Sequence, residues 1–117
     1  MNIPEMTAEV EEVNRLNGWY DDDRTFGDEV ALLHSEISEA LEAFRSWGFA
    51  DATPPRDTGG TVRYGAIKPE GVGSELADTL IRLLDTAKRH GIDLDFEYRR
   101  KMEFNRTRGY RHGGKRI

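Results

Sequence analysis

The sequence contains no cysteine, which excludes disulfide bridges and thiolate metal sites. No apolar run approaches the roughly 18 residues that a membrane span needs. The first twelve residues carry acids where a signal peptide would carry basic and then apolar residues. A soluble, cytoplasmic protein without membrane contact is therefore expected. Positive charge is also scarce: 17 basic side chains face 22 acidic ones, for a net charge of -5. Duplex-binding proteins usually present a basic face, so nucleic acid is an unlikely main partner.

What is present is polar but globular. The 117 residues, 37% hydrophobic and 33% charged, suit a single domain spanning 1–117. Charge is unevenly placed, with a net -12 over residues 1–98 and +7 over residues 99–117. An acidic body with a basic tail fits a metal–phosphate enzyme, in which carboxylates hold the cation and cations meet the polyphosphate. It fits a solvated arm equally well.

Four helical segments are predicted. The first runs over about Pro4 to Leu16, with proline in the first turn and Val10, Val13 and Leu16 at helical spacing. The second runs from Phe26 to Trp47, with Val30, Leu33, Ile37, Leu41 and Phe44 on one arc and Gly48 as terminator. The third starts with Ser74 as N-cap and continues through Leu76, Leu80, Ile81 and Leu84 towards Gly91. The fourth covers about Asp93 to Thr107, and residues 109–117 read as a tail. Residues 49–73 hold Pro54-Pro55, Gly59-Gly60, Gly65, Pro69, Gly71 and Gly73, a composition no helix tolerates. They form a flexible insertion or loop, with a short strand near Thr61 to Tyr64 as an option. The fold class is all-α.

At about 100° per residue, Glu36 and Glu39 are i, i+3 neighbours whose carboxylates can converge. Glu75 and Asp78 repeat the spacing on the third helix. Antiparallel packing of these helices would gather four acids beside the core. Such a cluster needs a cation, and oxygen-only ligands favour Mg²⁺, or Mn²⁺, over zinc. The chemistry suggested is phosphoryl transfer to water. Either pair alone is an ordinary solvated helix face; together at the edge of two apolar helices they form a candidate centre.

Read with their flanks, the acids resemble a known family. Glu29-Val-Ala-Leu-Leu-His-Ser-Glu36-Ile-Ser-Glu39 looks like the first motif of the MazG-like all-α nucleoside triphosphate pyrophosphohydrolases. Lys68-Pro-Glu-Gly-Val-Gly-Ser-Glu75-Leu-Ala-Asp78 looks like the second, and Lys101-Met-Glu-Phe-Asn105-Arg-Thr-Arg108 is similar to the third. The resemblance implies a four-helix bundle that packs as a homodimer or homotetramer. It implies hydrolysis of NTP or dNTP to the monophosphate and pyrophosphate, in house-cleaning or control of nucleotide pools. By the same resemblance Glu36, Glu39, Glu75 and Asp78 hold Mg²⁺, with Glu36 and Glu39 also catalytic. Lys101, Asn105 and Arg108 contact the substrate phosphates. The 35 residues between Glu39 and Glu75 are a longer connection than the shorter family members use, and make Arg56, Arg63 and Lys68 further phosphate-contact candidates. Trp19, Phe26, His34 and Trp47 are candidates for stacking on the base, although His34 lies about 160° from Glu36 around the helix.

Other readings stand beside this one. Phosphoribosyl-ATP pyrophosphohydrolases and dUTPase- or dCTPase-type specialists share the fold and the acids. A non-catalytic helical oligomer would keep the fold without the chemistry, and the basic tail keeps nucleic-acid binding as a third class.

Overall fold

The computed structural model describes residues 1–54, 62–63 and 66–117, and in them the chain is built of helices. Helix α1 (Ile3–Leu16) is capped by Asn2, whose side-chain oxygen accepts from the Glu5 N–H at 2.8 Å. Helix α2 (Phe26–Trp47) opens on a reciprocal capping box. Thr25 Oγ1 accepts from the Asp28 N–H at 3.1 Å, and the Asp28 carboxylate accepts from the Thr25 N–H at 3.0 Å. Gly48, at φ 62°, ends it. Helix α4 (Leu94–Thr107) is capped by Asp93, and a short turn labelled α5 (Arg111–Gly114) interrupts the tail with left-handed His112 and Gly113.

Helix α3 (Val72–Arg89) corrects one expectation. It starts two residues before Ser74, which is not its cap: the Ser74 hydroxyl donates to the Pro69 carbonyl at 3.2 Å. Gly71 precedes the helix at φ 119°, and a Cβ there would lie 3.1 Å from the Ala52 nitrogen and 3.3 Å from the Ala50 oxygen. Only glycine fits both the backbone angle and the close approach. The Ala52 N–H donates to the Glu70 carbonyl at 3.2 Å, and Thr53 Oγ1 accepts from the Glu70 N–H at 3.1 Å. Beyond these ties, strands β1 (Val62–Arg63) and β2 (Ala66–Ile67) pair antiparallel, with Val62 opposite Ile67. Thr61, Tyr64 and Arg56 lie outside the described residues.

Helices α2 and α3 run antiparallel. Glu29 meets Thr86, Glu36 meets Arg82, and Glu39 meets Glu75, so the partner number falls as the other rises. Their interface is narrow: Ala40 and Ala43 from α2 and Leu84 and Ala87 from α3 are the buried apolar residues. Helix α1 covers another side of α3, and α4 rests lightly on α1.

Of the apolar arc of α2, Val30 and Leu33 are half-buried, and the C-terminal part is left uncovered by the described residues. Ile37, Leu41 and Phe44 are 55%, 51% and 44% exposed, while Glu29, Glu36, Ala40 and Ala43 occupy the buried face. Helix α2 thus turns its small and acidic side to α3 and its large apolar side outward. The accessible surface is 9102 Å², against about 6,500 Å² for a compact monomer of this mass. The radius of gyration is 17.4 Å, against about 13 Å for a compact chain of this length. Among the described residues no helix is long and apolar enough to cross a membrane.

Candidate metal centre

The antiparallel register of α2 and α3 brings the two acid pairs together. One carboxylate oxygen each from Glu36, Glu75 and Asp78 lie within 4.8 Å of one another. Glu39, one turn along α2, adjoins this group, and its carboxyl is held above the ordinary carboxylate range, chiefly by its hydrogen-bonding proximity to the Glu36 carboxyl, with desolvation and the charges of Glu36 and Glu75 adding to it. Asp78 is also pushed up, first by burial and then by the Glu36 charge, against the opposing pull of Lys68 and Arg82. Like charges held this closely disfavour full ionisation.

One cation of the chain already answers this cluster. Arg82, four residues after Asp78 on α3, donates from Nε to Glu36 Oε1 at 2.6 Å. The acids are therefore not left wholly to an external counterion. Among the described residues, the Arg82 guanidinium and the Lys68 charge against four carboxylates still leave an excess of negative charge. The donor set is all oxygen, which fits a hard divalent cation such as Mg²⁺ or Mn²⁺. A cavity of about 240 Å³ adjoins the cluster, lined among others by Trp19, Arg24, Glu36, Asp78, Arg82 and Arg89.

Two turns away on the same faces lies a second charged group that sequence reasoning missed. Glu29, 1% exposed, accepts from Thr86 Oγ1 at 3.4 Å. Its Oε1 lies 3.7 Å from Arg24 and 3.6 Å from Arg89. Arg89 also donates to Asp85 at 2.7 Å and to the Trp19 carbonyl at 2.7 Å. The Tyr20 hydroxyl donates to Asp85 at 2.6 Å. Burial pushes Asp85 up, but hydrogen bonds from Tyr20, Arg89 and Asn14 outweigh it and hold the carboxyl below its usual range. Burial and the bond to Asp85 push the Tyr20 hydroxyl up to about 12. The signal for this group was in the sequence: Glu29 precedes Glu36, and Asp85 follows Asp78, by seven residues, or two helical turns.

The remaining candidates are placed as follows. Trp19 lines the cavity beside Glu36 and Asp78, with the Arg24 guanidinium 5.3 Å from its ring centre. Phe26 packs edge-on against His90 at 5.2 Å, at the far end of α3 from Glu75. His34 and Trp47 are exposed and do not line that cavity. Lys101, Asn105 and Arg108 sit on or just after α4 and do not line it either; Arg108 and Lys101 flank the Phe104 ring. Lys68 is exposed and acts on Asp78 through its charge. No protein-family model matches the chain, and neither a curated protein nor a solved structure does.

Proposed function

We propose that the chain is a Mg²⁺-dependent nucleoside triphosphate pyrophosphohydrolase that converts NTP or dNTP to the monophosphate and pyrophosphate. The observation that carries this reading is the convergence of Glu36, Glu75 and Asp78 oxygens within 4.8 Å, with Glu39 against them. The ordered resemblance of three sequence elements to the MazG-like enzymes supports it. Glu36, Glu39, Glu75 and Asp78 would hold the ion. When bound, the ion supplies charge neutralisation of the polyphosphate and lowers the pKa of a coordinated water.

The chain's own groups do the rest in this reading. Glu39, one of the two acids read as catalytic, accepts the proton of the attacking water. The water oxygen bonds to the α-phosphorus, the bond from the α-phosphorus to the α,β-bridging oxygen breaks, and pyrophosphate departs with that oxygen. Trp19, which lines the cavity, offers a face to the base. Lys101, Asn105 and Arg108 meet the phosphates in an assembly of chains, because α4 stands apart from α2 and α3 within one chain.

Assembly as a homodimer or homotetramer accounts for the uncovered apolar residues. Ile37, Leu41 and Phe44 on α2, Leu76, Leu80 and Leu83 on α3, and Phe96 and Phe104 on α4 are all more than two-fifths exposed. A monomeric soluble protein rarely exposes contiguous apolar surface on this scale. Light scattering on the purified protein should give two or four copies; a monomer at micromolar concentration would overturn the assembly.

The test of the activity is a panel of nucleoside triphosphates at fixed Mg²⁺ with identification of products. Monophosphate and pyrophosphate are expected; release of orthophosphate, or no turnover of any nucleotide, would overturn the reading. The same panel separates a broad house-cleaning enzyme from a dUTPase, a dCTPase or a phosphoribosyl-ATP specialist.

A further inference from the structure

Arg82 stands in a place the proposed metal chemistry does not account for. It follows Asp78 by four residues, so both side chains leave α3 on one face. Its Nε lies 2.6 Å from Glu36 Oε1, a short charge-assisted bond. The two groups differ in exposure. The Glu36 side chain is 10% exposed, whereas that of Arg82 is 32% exposed and lines the adjoining cavity. The guanidinium is the more solvent-accessible member of the pair.

We infer that Arg82 is the exchangeable counterion of the acidic centre: it holds Glu36 while no cation is bound and is displaced from that carboxylate by the divalent ion. Glu36 has one charge to share between the two, so binding of one weakens the other. Arg82 has somewhere to go, since the cavity it lines opens beside the same acids and is where an anionic substrate would approach. The released guanidinium then faces the incoming phosphate oxygens, for which its planar fork is suited. The inference rests on the metal-site reading above and adds to it the residue that sets cation affinity.

An opposite role is possible for an arginine at this position, in which it orients Glu36 for the metal and strengthens binding. The two roles predict opposite signs. Mn²⁺ titration of the full-length protein, followed by the loss of its free electron-paramagnetic-resonance signal, distinguishes them without any turnover. Arg82→Gln should bind Mn²⁺ roughly tenfold more tightly than the wild type, equivalent to about 1.4 kcal/mol. Glu36→Gln removes the shared carboxylate, so adding Arg82→Gln to it should bring no further tightening, the signature of a coupled pair. Circular dichroism of each variant establishes that it is folded.

Unchanged or weaker Mn²⁺ binding in Arg82→Gln, while the wild type binds and Asp78→Asn does not, would overturn the counterion role and leave the metal site standing. If neither the wild type nor Arg82→Gln binds Mn²⁺, the metal-site reading falls, and the exchange with it. Tightening of equal size in the presence and absence of Glu36 would also overturn the exchange, because the effect would then not pass through that carboxylate.

Discussion

Twice along the α2–α3 interface, two helical turns apart, an acid of one helix meets an acid of the other, and the chain treats the two places differently. At the end holding Glu29 and Asp85, two arginines, a tyrosine and a threonine close around the acids. At the end holding Glu36 and Asp78, two further acids are added and one part-exposed arginine answers them. A buried charge is tolerable when the fold itself supplies its partners. Where the fold withholds them, an excess of negative charge is left. Asp85 and Asp78 sit on one helix, and their carboxyls shift in opposite directions for that reason.

The contrast is broken most severely at Arg89. Its side chain is 12% exposed and serves Asp85, Glu29 and the Trp19 carbonyl together. Arg89→Ala leaves two buried carboxylates short of a partner and should cost about 3–5 kcal/mol, read by urea denaturation. A loss under about 1 kcal/mol would show that the balanced end does not hold the fold together.

Glu39→Gln tests the other end. Turnover should fall by roughly 10²-fold or more, as for removal of a general base. The metal-free protein should be no less stable than the wild type, since one member of a repelling group has gone. Unchanged activity in both Glu39→Gln and Asp78→Asn would sink the proposed centre.

Acidity should move the two ends in opposite senses. Asp85 is held below its usual range, so its contribution is present above the ordinary carboxylate value and is lost as pH falls through the depressed one. Glu39 and Asp78 are held above theirs, so the metal-free centre loses stability as pH rises through the raised values. Denaturation midpoints between about pH 4 and pH 8, measured with EDTA and with Mg²⁺, should therefore diverge towards neutral pH. Parallel curves would contradict the excess of negative charge at that end.

The smallest effect is expected at Tyr20. Tyr20→Phe removes the 2.6 Å bond to Asp85 and should cost about 1–2 kcal/mol. It should also remove an alkaline loss of stability that begins near the ordinary tyrosine value of 10.0 and completes as pH rises through about 12. A variant that keeps the alkaline loss would assign it to another group.

Much of this was legible in the sequence. Apolar periodicity and Gly48 gave the limits of α2 correctly, because a long amphipathic helix with a glycine stop leaves few alternatives. The i, i+3 acids were legible because that spacing forces them onto one face, and the structure gathers Glu36, Glu75 and Asp78. The start of α3 was not, because it is set by Gly71 pressing on the Ala50–Ala52 backbone, a contact between residues far apart in the chain. The facing of α2 was not legible for a related reason. Periodicity identifies an apolar arc but not what covers it, and here α3 takes the small and acidic side. Arg82 was passed over because its role depends on a carboxylate 46 residues earlier.

The fastening of Ala52 and Thr53 to Glu70 has a consequence for how the chain tolerates change. It pins both ends of the long connection immediately outside the two helices that carry the acids. The length of chain between the pins is thereby uncoupled from the helix register, and doubling a loop adds only about 0.6 kcal/mol of closure entropy. Insertions and deletions between Pro54 and Pro69 can then accumulate, or be engineered, while Glu39 and Glu75 keep their distance. The knot, and not the loop, is the part that must be conserved in any shortened or lengthened version of this protein.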